Sequence, residues 1–394
     1  MATDSIPITQ IKSKEFQTEN VLPIVGSHLV HDTYTAAVPA LLPVLIEKLS
    51  LSLTMVGTLT AILQIPAVLT PFIGYLADKV SLRYFVILAP ALTATLISSL
   101  GFASSYFGIA IILFATGISV ACYHAPAPAM IGRLAGDQIG KGMSLFMAAG
   151  ELARAVGPLL AVWAVSTWTL DGFYRIVFLG WAATLILYFR LRHIPARMEA
   201  PGSFHSILPV LKIFFLPLFF VIFFRSFGVN ILTVYLPIYM KGLGATLWIA
   251  GGALSLLELA GVAGALVSGT LSDIFGRKRI LLIATIISAL LMYLFVWFEG
   301  WILIPLLAAL GFFVLSTGPV MLAMVQDQLP NNRAVGNGLY IMLAFLIRPV
   351  ALVAIGYLGD LFGLEQVYIW SAIVTLLAVP AILFMPDRLE QTGV

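Results

Sequence analysis

Long apolar segments alternate with short polar breaks along the whole chain. A helix of about 20 apolar residues crosses the hydrocarbon of a bilayer and satisfies its own backbone hydrogen bonds. The pattern therefore predicts twelve membrane-spanning helices, at residues 21–47, 52–77, 84–103, 106–132, 142–166, 173–190, 209–240, 246–272, 280–298, 301–326, 335–358 and 365–386. One long polar interruption, at 191–208, divides them. We expect an all-α membrane protein with two six-helix bundles, 21–190 and 209–386, and with tails at 1–20 and 387–394.

The composition argues against a water-soluble protein. Apolar residues make up 61% of the 394 residues and charged residues only 10%, whereas soluble domains carry about 25% charged residues. The net charge of +3 is too small to indicate a nucleic-acid partner. The single cysteine, Cys122, excludes an intramolecular disulfide, the five histidines show no metal-ligand spacing, and no P-loop is present. We therefore expect no enzyme and no bound metal, nucleotide or other cofactor.

The basic residues predict the orientation in the membrane. Fifteen of the 21 lysines and arginines fall in the tails and in alternate loops, whereas the opposite loops hold only Lys48, Arg175 and Lys241. Because cytoplasmic loops carry the excess of Lys and Arg, both termini are predicted to be cytoplasmic.

The two halves repeat each other. The segment from Gly74 to Asp78 returns 195 residues later as Gly269 to Asp273, and Arg154 returns 194 residues later as Arg348. Parallel repeats of this kind occur in transporters, whose substrate site lies at mid-membrane between the halves. The repeat thus favours a transporter built from a duplicated six-helix unit.

The second copy of this segment resembles a family signature. The run GTLSDIFGRKR from Gly269 to Arg279 resembles the loop motif of the major facilitator superfamily, and the twelve-helix plan agrees with it. The first copy keeps Gly74, Asp78 and Arg83. The resemblance implies that the motif latches the halves together on the cytoplasmic side, through conformational rather than substrate-binding residues: Gly74, Asp78, Arg83, Gly269, Asp273, Gly276 and Arg277.

Within the superfamily the chain resembles the fosmidomycin-resistance group of proton-coupled exporters. The resemblance depends on SHLVHD at 27–32, on the pair Tyr123-His124, and on Gly150 with GPLL at 157–160. Gly150, Gly157 and Pro158 also resemble the helix 5 motif of drug–proton antiporters, where small residues allow close helix contact and proline bends the helix.

Six ionisable side chains fall inside predicted spans: Asp32, Glu151, Arg154, Arg225, Glu258 and Arg348. Each costs about 2.5–3.5 kcal/mol to insert, so such groups face a cavity or a partner. His28 and Asp32 are four residues apart on one helical face, which favours Asp32 as the proton carrier and His28 as its modulator. Glu151 and Glu258 are further proton-coupling candidates.

Arg154 and Arg348 would form a cationic clamp for a phosphonate, phosphate or carboxylate. The alternative is that each arginine only balances Glu151 or Glu258, with Glu258 paired inside the second half. Arg225 lies where its side chain could snorkel to the interface. Further substrate-binding candidates are Tyr34, His31, Tyr123, His124, Asn230 and Gln64. For His31 the bonding of neighbouring helices is the favoured role.

These features predict a proton-coupled exporter of a small anionic or amphipathic compound, working by alternating access. We expect a monomer in the bacterial inner membrane, driven by the proton gradient. A proton symporter that imports an organic anion or nutrient is the first alternative, and a transport-inactive membrane sensor or scaffold is the second.

Overall fold

The computed structural model describes residues 15–70, 72–73, 83–194, 211–329 and 333–386. Eleven helices in these ranges are long and apolar enough to cross a membrane, and a twelfth is shorter. In chain order they are α1 Thr18–Leu49, α2 Leu53–Leu69, α3 Arg83–Phe102, α4 Tyr106–Leu134, α5 Ile139–Trp168, α6 Phe173–Leu191, α7 Ile213–Gly242, α8 Leu247–Phe275, α9 Arg277–Phe295, α10 Gly300–Gln328, α11 Arg333–Phe362 and α12 Leu364–Phe384.

Each predicted segment coincides with one helix, so the prediction of an all-α chain with twelve apolar helices is confirmed. The described ends agree to within a few residues, because apolar runs and short polar breaks decide where a membrane helix begins and ends. Residues 71 and 74–77 of predicted span 52–77, most of the linker, most of the N-terminal tail and all of the C-terminal tail lie outside the described residues.

We call the end of the molecule where α1 ends and α2 begins the distal end. Several helices that begin there have a capping side chain. Ser52, Ser105 and Thr246 each accept a hydrogen bond of 3.2 Å from the backbone N–H three residues later. Such caps satisfy amides that the first turn of a helix leaves unpaired. Prolines also lie inside several helices, including Pro158 in α5 and Pro349 in α11; such positions favour a bend.

The helices are apolar on the outside as well as within the bundle. Phe107, Trp301 and Phe384 are 75%, 78% and 81% exposed. A surface of large apolar side chains on all sides suits lipid as the surrounding solvent. The chain is thus a multi-pass membrane protein.

The two halves, α1–α6 and α7–α12, meet chiefly where α2 packs against α11 and where α5 packs against α8. At the distal end, Asp360 on α11 accepts hydrogen bonds from the backbone N–H groups of Leu53 and Thr54, at 2.7 and 2.8 Å. It also accepts one from the Thr54 hydroxyl, at 2.5 Å. Lys241 lies 3.9 Å from Glu47 across the same boundary. The halves are therefore in direct contact at the distal end.

Candidate functional site

The site centres on the carboxylate of Asp32, about half-way along α1. One carboxylate oxygen, Oδ2, lies 3.1 Å from Nε2 of His28 and 3.4 Å from Nε2 of His124. The other, Oδ1, lies 2.8 Å from Nδ1 of His31. The two Nε2 atoms of His28 and His124 are 3.2 Å apart. The prediction that His28 and Asp32 share a helix face is confirmed, and α4 contributes His124 to the same carboxylate.

The outer nitrogens of the two imidazoles are already used. Nδ1 of His28 lies 2.7 Å from the carbonyl oxygen of Phe146, and Nδ1 of His124 lies 3.1 Å from that of Val120. A carbonyl only accepts, so both Nδ1 atoms carry a proton. In a neutral imidazole Nε2 then holds a lone pair, and two such lone pairs face the lone pairs of Oδ2. We call Oδ2 of Asp32 and the two Nε2 atoms the Asp32 triangle; a proton or another cation between these atoms would replace the contact between lone pairs by an attractive one.

His31 and Tyr123 support the triangle from behind. His31 is 0% exposed, and its Nε2 lies 3.0 Å from the hydroxyl of Thr93, which donates to Ser119 at 2.8 Å. Tyr123 is also 0% exposed, stacks on His31, and shares a hydrogen bond of 2.8 Å with Ser27. Both were predicted to bind substrate, but complete burial leaves them no surface for it. His31 instead forms a hydrogen bond to a neighbouring helix, which is the role that we favoured for it from the sequence.

Two glycines of α5 let α1 approach closely enough to form the site. A Cβ at Gly150 would lie 2.7 Å from Cε1 of His28, and one at Gly157 would lie 2.6 Å from the Cβ of Ala36. Real Cβ atoms do not approach this closely, so any larger residue would push the helices apart. The predicted role of these small residues in close packing agrees with this geometry. Pro158, the next residue, lies inside α5.

A second cluster joins the halves at the same depth. Arg154 on α5 is hydrogen-bonded to Glu151 on its own helix, and its Nε lies 3.3 Å from Oε2 of Glu258 on α8. The Glu258 side chain is 8% exposed, against 45% for Arg154. The alternative that Glu258 pairs inside the second half is wrong, because its partner Arg154 lies on α5 in the first half.

Arg348 and Asn230 extend this cluster into the second half. Nε of Arg348 donates a hydrogen bond of 2.8 Å to Oδ1 of Asn230. Among the described residues, no carboxylate lies within ion-pair distance of Arg348. Arg348 interacts through space with Arg154 and Glu258, and Arg154 interacts with Asp32. The charge of Arg154 therefore lies near enough to the Asp32 triangle for the two clusters to influence each other.

Three further side chains that the sequence singled out, Tyr34, Gln64 and Arg225, lie outside the two clusters. Tyr34 is 0% exposed and donates to the carbonyl of Ile176 at 2.5 Å, so it packs the first bundle rather than lining a cavity. Gln64 lies on α2, and within the part of the chain that the structure describes its buried Oε1 has no hydrogen-bond partner, so its role in substrate binding stays a prediction. The prediction that Arg225 snorkels to the membrane interface is wrong. Its side chain is 3% exposed and donates hydrogen bonds to Thr285, Thr317 and a backbone carbonyl inside the second bundle.

The loop motif is described in its second copy. Gly276 has a φ of +94°, which favours glycine, and it ends α8 immediately before α9. Arg277 lies 2.7 Å from Asp273 on α8 and donates to Asp327 on α10 at 2.8 Å. These contacts lie within one half, so the motif ties α8 to α10. Gly269 belongs to α8 and Arg83 begins α3, whereas Gly74 and Asp78 lie outside the described residues.

The sequence showed no metal-ligand spacing, but three side chains that could bind a metal come together in the structure. His28, Asp32 and His124 offer three ligand atoms that all lie within 4.8 Å of one another. The spacing missed this set because its third member comes from another helix, 92 residues beyond Asp32. The sequence also gave no signal for the Phe146 carbonyl, Thr93 or Asp327, whose roles depend on helix packing.

A bundle of apolar helices with ionisable side chains half-way along several of them is typical of a polytopic membrane transporter. The model of the Major Facilitator Superfamily matches residues 24–273 and 218–393, and the chain belongs to that superfamily. Its members are transporters rather than enzymes; they typically use ion gradients and no cofactor. The chain is also 25% identical over 386 residues, 93% of each chain, to an uncharacterized MFS-type transporter, YfnC, from Bacillus subtilis (strain 168).

Solved transporter structures share the fold. A bacterial homologue of the human lysosomal transporter Spinster, inward-facing and occupied, superposes with a TM-score of 0.80 at 14% identity, over 94% of this chain and 97% of that one. A D-xylose–proton symporter superposes with a TM-score of 0.78 at 18% identity, over 95% of this chain and 99% of that one. The D323A mutant of the nucleoside transporter NupG superposes with a TM-score of 0.76 at 15% identity, over 92% of this chain and 98% of that one. At these identities the likeness is one of fold.

Proposed function

We propose that the protein is a proton-coupled exporter of a small anionic or amphipathic compound. The observation that carries the proposal is the Asp32 carboxylate, placed inside a membrane span and contacted by three imidazoles. Inserting an ionisable side chain into a membrane span costs free energy, so such residues usually have a partner and a function. Both termini are proposed to be cytoplasmic, in a bacterial inner membrane, with a monomer as the working unit.

The Asp32 triangle supports reversible proton binding. One proton placed on Oδ2, or on Nε2 of His28 or His124, removes the contact between lone pairs. The Asp32 side chain is 20% exposed and that of His124 is 33% exposed, so a proton can reach the triangle from solvent. Proton loading from one side of the membrane and release to the other would then drive transport.

The second cluster supports binding of an anion. The terminal nitrogens of Arg348 are free of carboxylates among the described residues, and a guanidinium offers paired donors to a phosphonate or carboxylate. The partly exposed Arg154 already holds a carboxylate from each half. An incoming anion can therefore replace Glu258 on Arg154, which would loosen the contact between α5 and α8. In this scheme Glu151 stays with Arg154 on α5.

The contacts at the distal end support an inward-facing conformation. With cytoplasmic termini the distal end faces outward, and there Asp360 bonds to α2 and Lys241 approaches Glu47. The superposed Spinster homologue was solved in an inward-facing conformation. In this conformation the site would be open to the cytoplasm, where an exporter takes up its substrate and an importer releases it.

The test compares wild type with Asp32→Asn in an efflux-deficient bacterial host. We expect wild type to raise the inhibitory concentration of fosmidomycin or of another phosphonate, carboxylate or amphipathic antibiotic in a panel. Asp32→Asn should abolish this resistance at an equal membrane level, whereas Asp137→Asn, an exposed loop control, should retain it. Full resistance in Asp32→Asn would refute the proton role.

Direction is tested in everted vesicles that generate a proton gradient. The compound identified by the panel should accumulate inside the vesicles and collapse the gradient with wild type only. Accumulation in right-side-out vesicles instead, driven by an inward proton gradient, would identify an importer and overturn the export proposal.

A further inference from the structure

The Asp32 triangle has the size of a metal site. Its three atoms are separated by 3.1, 3.2 and 3.4 Å. For ligands bound tetrahedrally at about 2.0–2.1 Å, as in zinc sites, the distance between two ligands is about 3.3–3.4 Å. A cation at the centre would therefore need little movement of His28, Asp32 or His124. We propose that this triangle binds a divalent transition-metal ion of the zinc type.

The atoms behind the ligands are already arranged as in metal sites. A metal-bound histidine usually donates its other N–H to a carbonyl or carboxylate, which fixes the ring. His28 does so to the carbonyl of Phe146 and His124 to that of Val120, at 2.7 and 3.1 Å. Oδ1 of Asp32 is held by His31 at 2.8 Å, so only Oδ2 points into the triangle. All three ligand atoms are thus oriented before any ion binds.

The ligand set selects the kind of ion. Two imidazole nitrogens and one carboxylate oxygen suit zinc and neighbouring transition metals, whereas magnesium and calcium favour oxygen ligands. Three protein ligands leave one coordination position open. The partial exposure of Asp32 and His124 gives that position to water or to an anionic oxygen, and the bound ion would retain one positive charge.

The experiment measures zinc binding to the full-length protein, purified in detergent with an affinity tag that contains no histidine. We expect one zinc per chain for wild type and for His193→Ala, which alters an exposed histidine outside the cluster. His28→Ala, Asp32→Asn and His124→Ala should each raise the dissociation constant at least about tenfold, since second-shell changes alone typically cost 10–100-fold. Gel filtration of each variant confirms that it is folded.

Cobalt(II) gives a second readout that does not depend on the variants. The intense visible absorption of a tetrahedral cobalt site in wild type would support the proposal. Three results would overturn it: no zinc retained by wild type at micromolar zinc, binding unchanged in all three variants, or the weak spectrum of an octahedral, hydrated cobalt ion. Binding in wild type and in the His193 control only would place the ion in the triangle.

Inhibition of transport by zinc is a separate consequence that rests on the proposed function, because the ion uses the lone pairs that would bind the transported proton. Zinc should then inhibit wild-type transport in vesicles at the concentration at which it binds. Binding without inhibition would support the metal site and contradict the proton role. Absence of binding, with transport still lost in Asp32→Asn, would overturn the metal site and leave the proton role intact.

Discussion

Replacing Asp360 by alanine should weaken the closure of the distal end. This carboxylate on α11 accepts two backbone hydrogen bonds and one hydroxyl hydrogen bond from Leu53 and Thr54 at the start of α2. It therefore caps a helix of the other half, and alanine offers nothing in its place. The bonds exist only while the two halves meet at this end, so their loss penalises the closed state alone.

The magnitude follows from the hydrogen bonds that are lost. Removing an N-terminal cap costs about 0.5–2 kcal/mol. The attraction between a carboxylate and a helix N-terminus, about 0.3–1 kcal/mol, is part of that cost. Asp360 is exposed, so solvent and salt reduce the contribution of its charge. We expect a loss of about 1–2 kcal/mol, which shifts the ratio of distal-closed to distal-open molecules about 5–30-fold.

Distances between spin labels measure this ratio directly. The single Cys122 is removed as Cys122→Ser, and labels are placed at Asp171 and Glu299 in distal loops of the two halves. Asp360→Ala should increase the long-distance population, and Glu365→Ala, a matched exposed acid on α12, should leave it unchanged. An unchanged distribution in Asp360→Ala, or the same shift in both variants, would refute the role of the cap.

Three other changes test the packing and charges around the site. Gly150→Ala should displace the His28 ring and reduce proton-driven transport. Gly140→Ala should not, because a Cβ at Gly140 meets nothing within 4 Å. Equal transport by the two variants would contradict the packing role of Gly150. Arg154→Glu or Glu258→Arg alone should reduce transport, and the double exchange should restore part of it if the pair matters as a pair. Arg225→Leu should lower thermal stability by about 1–3 kcal/mol, because buried acceptors lose their donor, and an unchanged melting curve would show that they find other partners.

The fold was predictable because lipid imposes a simple rule on sequence. A span must be apolar over its length and helical throughout, so the positions of the twelve helices follow from local composition alone. The repeat of Gly269 to Asp273 and the match of Arg154 with Arg348 added the division into halves. No such rule operates on the rotation of each helix about its axis, which is set by packing against its neighbours.

The site was predictable only in its local pairs. His28 with Asp32, and Glu151 with Arg154, are one helical turn apart, and both pairs form. The partners that complete the clusters come from distant positions in the chain, as His124 does for Asp32. Charge alone also misplaced Arg225, because three neutral acceptors inside the second bundle bind its guanidinium.

The proposed coupling of protons to movement follows from how the clusters share charge. Asp32 interacts through space with Arg154, and Arg154 contacts Glu258 across the boundary between the halves. A proton bound in the triangle cancels the negative charge of Asp32, so Arg154 would be held more strongly by its two glutamates and less by α1. An anion on Arg154 and Arg348 would oppose this by displacing Glu258. Proton and anion therefore act in opposite senses on one contact, which is the behaviour that exchange of one for the other requires.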